Sequence, residues 1–250
     1  MSRNSARFSG GLDMTREAEI LFVVTSHTKL GATGKPTGVW LEELALPYLA
    51  LAARGAKITI ASPAGGPIPI DPGSLRPKGE APVMDAFLAR PEIATALIGV
   101  PSVAALAGQK FDALFLPGGH GTMWDLPVDA HLAALIGRMA DAGKPVAAVC
   151  HGAAGLVAAK RADGTPVVAG YRVNSFTDAE ERAVGLSGVV PFALQSRLEA
   201  LGARFEHGPD FQAFAVVDRG LITGQNPASS SLVAEALATA LGLAAPRKAA

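Results

Sequence analysis

A single cysteine, Cys150, stands in 250 residues. The chain therefore closes no internal disulfide, and a lone thiol fits a reducing, cytoplasmic compartment. Neither sign of charge is in excess, since 22 basic residues face 22 acidic ones. That denies the chain the electrostatic footprint of a nucleic-acid or anionic-lipid binder. Long apolar runs are missing too. Stretches such as Ala213 to Val217 fall far short of the roughly 20 residues of a membrane span. Glycine (28) and proline (18) are too scarce for a low-complexity chain, yet frequent enough to mark many tight turns. No internal repeat is visible.

What is present is core material, with 49% hydrophobic residues. Apolar runs alternate with helical patterns, the rhythm of a parallel α/β sheet. Strands are predicted at 20–24, 57–61, 113–116, 146–149, 167–168 with 171–173, 213–217 and 221–223. Helices are predicted at 38–54, about 84–96, 129–142, 151–159, 191–202 and 229–241, with Ser229 and Ser230 capping the last one. Residues 1–18 are polar and aperiodic, unlike a secretory signal, and read as a disordered tail. Residues 244–250 read the same way, leaving 19–243 as one domain. The proline-punctuated stretch from Pro63 is long for a connection, and it reads equally as a cover over a site or as a plain surface insertion.

The lone thiol sits where chemistry is done. Val146 to Val149 form an apolar strand, Cys150, His151 and Gly152 follow, and an alanine-rich helix is predicted next. Such an elbow projects a nucleophile at the carboxyl edge of an open sheet. A cysteine there meets the positive end of a helix dipole, which lowers its pKa. The bland reading is an inert buried thiol. A second strand ends in Pro117, Gly118, Gly119, His120 and Gly121, whose glycines let amides approach a ligand closely. Gly118 and Gly119 are expected to complete an oxyanion hole with the His151 amide. His120 and Trp124 are candidates to line the pocket; Trp40 and Tyr48 read as core or dimer contacts. His27, His120, His131, His151 and His207 show no paired ligand spacing, so no metal is expected.

The elbow AVCHG, the turn LFLPGGHGTMWDLP, the early TGVWLEELALPY, the later NSFTDAEE and the terminal ITGQNPASS together resemble the ThiJ/PfpI superfamily, whose fold is similar to class I glutamine amidotransferases. Within it the chain resembles the heat-inducible chaperone and glutathione-independent glyoxalase III branch, from about Ile20 to Leu241. The resemblance implies a flavodoxin-like three-layer sandwich with a mostly parallel sheet, a homodimer, and a stress-response lyase. It places the nucleophile on Cys150, the neighbouring histidine on His151 and the acidic partner of the thiol on Glu43. Adjacent Glu42 lies about 100 degrees around the helix and is expected in solvent. The third triad member falls on Glu181, with Asp178 and Glu180 as competitors. The implied reaction is methylglyoxal to lactate without a cofactor, and deglycation could follow from the same attack. An amidotransferase is the nearest enzymatic rival, but His207 is followed by Gly208 and Pro209 rather than by that family's pattern. A cysteine peptidase is a further rival. From another class comes a holdase or redox sensor whose exposed thiol is oxidised.

Overall fold

The computed structural model describes residues 17–245; most of the two expected tails, 1–16 and 246–250, lies outside them. The strands are β1 (Glu19–Val23), β2 (Lys57–Ala61), β3 (Ala113–Leu116), β4 (Val146–Val149), β5 (Arg172–Val173), β6 (Arg204–Phe205), β7 (Ala215–Asp218) and β8 (Leu221–Gly224). The helices are α1 (Leu41–Ala52), α2 (Pro82–Leu88), α3 (Pro91–Ile98), α4 (Thr122–Asp125), α5 (Ala130–Asp141), α6 (Asp178–Ala183), α7 (Leu194–Ala200) and α8 (Ser230–Ala240). Six strands form one sheet in the order β2-β1-β3-β4-β8-β7, parallel except for β7. β5 and β6 pair separately.

Alternation along each strand makes two apolar faces. Leu21, Val23, Leu114, Leu116, Val146 and Ala148 join one core cluster with Leu132, Ile136 and Met139 of α5 and Leu194 and Leu198 of α7. Ile20, Phe22, Phe115, Ala147 and Val149 join the other with Leu44, Tyr48 and Leu51 of α1 and Val233 and Leu237 of α8. There Phe22 stacks on Phe115 at 4.7 Å and meets Tyr48 edge-on at 6.2 Å. This is the expected three-layer α/β sandwich. Tyr48 belongs to its core, and Trp40 is half-buried at the N-cap of α1.

Several local expectations give way. The segment after Cys150 is a 3-10 element, Cys150–Leu156, rather than an α-helix. A Cβ on Gly152 would strike the Leu116 carbonyl, so this backbone packs directly under the end of β3. Val167 and Val168 are buried in a turn, not a strand. Pro91 starts α3 afresh, splitting the helix predicted over 84–96. The Ser229 hydroxyl bonds Asn226 and Phe214 instead of capping α8.

The stretch after β2 does not lie idle. Val39 donates its amide to Pro69 and Asp71 donates its own to Val39, while Thr37 donates its hydroxyl to the Asp71 carboxylate at 2.7 Å. The insertion thus braces the segment that leads into α1.

Candidate active site

β1, β3 and β4 end side by side, and chain order turns in opposite directions from β1, the place where open α/β sheets bind ligands. Cys150 follows β4 directly. It has φ 57, one of three non-glycine residues at positive φ among those described. Such a conformation costs of order 1–3 kcal/mol and persists only where its surroundings enforce it. Thr122 supplies one clamp: its hydroxyl reaches the carbonyls of Gly119 at 2.8 Å and His151 at 2.9 Å, tying the two turns together.

Cys150 is 4% exposed. Its sulfur lies 3.3 Å from Nδ1 of His151. Nε2 of the same ring lies 2.7 Å from Oε2 of Glu181. Glu181 carries its other oxygen, Oε1, 2.9 Å from Nε2 of His120. With both Nε2 atoms donating to one carboxylate, Nδ1 of His151 is left as the acceptor that faces the thiol. The His151 imidazole also packs against Phe176, whose ring centroid lies 4.6 Å away.

Glu43 comes from the first turn of α1 and is wholly buried. Pro47, four residues on in the same helix, lacks the N–H that would otherwise bond the Glu43 carbonyl. The Gly118 amide donates to Oε2 of Glu43 at 2.8 Å. Oε1 has no conventional partner, and the Cys150 thiol is the group that interacts with this carboxyl. Burial raises the Glu43 pKa from 4.5 to about 8, against the opposing pull of the thiol and the Gly118 amide. At neutral pH it is an acid with a proton to give. Glu42 is half-buried, and burial raises its pKa against the opposing charge of Arg76, so it is less solvated than expected.

The electrostatics reverse one expectation. Burial, followed by Glu43, pushes the Cys150 thiol well above its ordinary pKa. A 3-10 turn inside the core brings too weak a dipole to offset that desolvation. The resting group is a neutral thiol beside an acceptor nitrogen, not a preformed thiolate. Burial, reinforced by the nearby His120, lowers the His151 pKa and keeps its ring neutral. Burial raises the Glu181 pKa, but the hydrogen bonds from His120 and His151 outweigh it and bring the carboxylate to about 2.

Cys150, His151, Glu181, Glu43, Gly118, Gly119 and His120 are therefore brought together, and Trp124 is not. Its indole stacks on His27 at 5.0 Å, beside Gly31. Gly118 cannot serve as an oxyanion donor, because its amide is taken by Glu43. Gly119, at φ 104, has no room for a side chain against the backbone of Gly38 to Trp40. Of the three acids near the elbow, only Glu181 reaches His151 by hydrogen bond. Asp178 accepts from Ser196. Glu180 is buried and accepts from the amides of Thr177 and Phe211 and the side chains of Gln225 and Asn226. Thr177 and Glu180 form a capping box, a pattern readable in the sequence as Thr-x-x-Glu. Nothing in the sequence announces that His120 shares Glu181.

His120, His151 and Glu181 also place three metal-binding atoms within 4.8 Å of one another. Chain spacing alone had given no reason to expect such a group.

Fold and site define a class: an α/β protein with a cysteine on a strained elbow after a parallel strand, backed by a histidine and a carboxylate. The comparisons agree. Residues 37–240 match the DJ-1/PfpI family model, and the chain belongs to that family. Within it the chain falls in the glutathione-independent glyoxalase branch. It is 30% identical to the glutathione-independent glyoxalase hsp3101 of Schizosaccharomyces pombe, over 89% of this chain and 96% of that protein. The crystal structure of glyoxalase III from Candida albicans superposes with TM-score 0.81 at 27% identity, covering 89% of this chain and 97% of that one. The Rapid Encystment Protein of Francisella tularensis superposes with TM-score 0.86 at 34% identity, covering 90% and 99%. Among the described residues no helix is long and apolar enough to cross a membrane.

Proposed function

We propose that the protein is a glutathione-independent glyoxalase, a lyase that adds water to methylglyoxal or a related α-oxoaldehyde to give a 2-hydroxy acid. The carrying observation is Glu43: a buried carboxyl with a pKa near 8 facing the sulfur. A cysteine hydrolase has no need of that acid, whereas moving a proton between two substrate carbons requires one.

In the proposed reaction His151 Nδ1 takes the Cys150 proton as sulfur attacks the aldehyde carbon, and the ring passes that proton to the aldehyde oxygen. The result is a hemithioacetal. His151 then removes the hydrogen of that carbon as a proton while Glu43 gives its own proton to the neighbouring carbonyl oxygen, leaving an enediol, a charged imidazole and a Glu43 carboxylate that takes back the first hydroxyl's proton in the next step. Reprotonation at the second carbon leaves a thioester, which water cleaves to release the hydroxy acid and restore the thiol. One carbon is oxidised and its neighbour reduced, so no external oxidant or cofactor enters the balance. The amides of Gly119 and His151 are the proposed oxyanion donors. Glu181 orients His151 and stabilises it when charged.

Burial favours a small substrate over a peptide, and the histidine on the thiol is its chain neighbour rather than one late in the chain. His207 is exposed and bonds only the Gly208 carbonyl. The sensor reading loses its premise of an exposed, acidic thiol. Deglycation would use the same attack on an oxoaldehyde adduct.

The test is turnover of methylglyoxal in D2O without glutathione. Proton transfer through exchangeable groups puts deuterium on C2 of lactate. Lactate with full retention of protium at C2, together with wild-type turnover by Glu43→Gln, would mean a hydride shift and would remove Glu43 from the carbon step.

A further inference from the structure

Glu181 gives one oxygen to each of two imidazoles, His120 at 2.9 Å and His151 at 2.7 Å. Orienting His151 needs only one of those bonds. The second brings a further imidazole to the carboxylate, with the ring centroids of His120 and His151 4.1 Å apart. Two imidazoles and a carboxylate converging in this way are a donor set suited to zinc and similar divalent ions.

Distances allow it. Donors at about 2.0–2.1 Å from a tetrahedral zinc stand about 3.3 Å from one another. One Glu181 oxygen would ligate, so its own N···O contact, 2.9 Å to His120 or 2.7 Å to His151, opens by roughly half an ångström to reach that value, while the remaining donor separations, at most 4.8 Å, close toward it. His120 lies between Gly119 and Gly121, and its side chain is 14% exposed, giving an ion an approach and water a fourth position.

We infer that His120, His151 and Glu181 form a site for a divalent transition-metal ion of the zinc class, and that filling it switches the cysteine chemistry off. The inhibition rests on the function proposed above; the binding does not. An ion on Nε2 of His151 obliges the ring to carry its proton on Nδ1, 3.3 Å from the sulfur. An N–H cannot accept the thiol proton. The ion therefore disables the base without bonding to sulfur. The ring is neutral before and after, losing a proton at Nε2 and gaining one at Nδ1 through solvent, and nothing is oxidised.

The test titrates metal-free protein with Co2+, read by its visible d–d absorption, and then with Zn2+ against methylglyoxal turnover. Wild type and Cys150→Ala are expected to bind one equivalent of Co2+ with the same spectrum and without a thiolate-to-cobalt charge-transfer band. His120→Asn and His120→Gln, checked for folding by circular dichroism, are expected to bind at least about 100-fold more weakly, since even outer-shell changes cost 10–100-fold. Zn2+ should inhibit wild type and spare the residual activity of the His120 variants. A charge-transfer band that vanishes in Cys150→Ala would put the ion on sulfur and overturn the proposal, as would His120 variants that bind like wild type. Should wild type fail to turn over methylglyoxal yet bind Co2+ as described, the glyoxalase reading falls and the metal site stands.

Discussion

The backbone amide of Gly118 and the side chain of Glu43 are hydrogen-bonded at 2.8 Å across 75 residues of chain. The bond fixes the acid that faces the sulfur and at the same time removes Gly118 from the set of oxyanion donors. It also explains the glycine. A Cβ at position 118 would stand 2.5 Å from Oε2 of Glu43, 2.7 Å from the Val149 carbonyl and 2.8 Å from the His151 amide.

Gly118→Ala is therefore expected to push Glu43 off the thiol. Overpacking of this kind costs about 1–3 kcal/mol of stability, and turnover should fall by at least about 100-fold, the lower range for losing a positioned acid or base. Chemical denaturation and steady-state kinetics check both. A variant with wild-type turnover would show that the contact is dispensable.

Glu43→Gln separates function from stability. The unfolded chain ionises Glu43 from about pH 4.5, whereas the folded one keeps the proton to about pH 8. Folding is unpenalised below the lower value, and wild type loses up to about 1.4 kcal/mol per pH unit as pH rises between the two. The glutamine cannot ionise and escapes that loss. The melting-temperature advantage of Glu43→Gln should grow from pH 5 to pH 8 and then level off. A pH-independent difference would mean that Glu43 is not held protonated.

Glu181→Gln should show the opposite slope. Its carboxylate drops from 4.5 to about 2 on folding, so its stabilisation is present above pH 4.5 and lost as pH falls toward 2. The variant should be less stable than wild type near neutrality and converge on it in acid. Its kcat should fall by about 10²–10⁴-fold, the range for general acid–base groups, with KM little changed.

Glu180→Ala tests anchoring rather than chemistry. It removes a buried acceptor from four donors on the α6 turn, the Phe211 loop and the chain after β8. A buried donor left without its acceptor costs about 1–3 kcal/mol, and Glu180→Gln should cost less because an amide oxygen still accepts. Equal melting temperatures for Glu180→Ala and wild type would contradict this role.

Much of the architecture is legible from local pattern. Val146 to Val149 read as a buried strand because both faces of a central parallel strand are covered, and Leu44, Tyr48 and Leu51 announce a helix face by their spacing. The same logic misreads 150–156 as an α-helix: alanine-rich composition favours one, but Gly152 must pass against the Leu116 carbonyl, a constraint set by a strand more than 30 residues away. Val167 and Val168 look like a strand and are buried in a turn, since burial rather than pairing suffices for their side chains. At the site, the family resemblance places Cys150, His151, Glu43 and Glu181, and the fold brings all four together. The raised Cys150 pKa was illegible because desolvation is a property of the finished core. The link from His120 to Glu181 spans 61 residues with no local signal at either end.

The most direct test of the account is lactate formation from methylglyoxal without glutathione, measured for wild type, Cys150→Ala and Glu43→Gln. Wild type is expected to turn over methylglyoxal and each variant to lose at least about 100-fold, with circular dichroism unchanged. An inactive wild type, or a Glu43→Gln variant that keeps wild-type turnover, would contradict it.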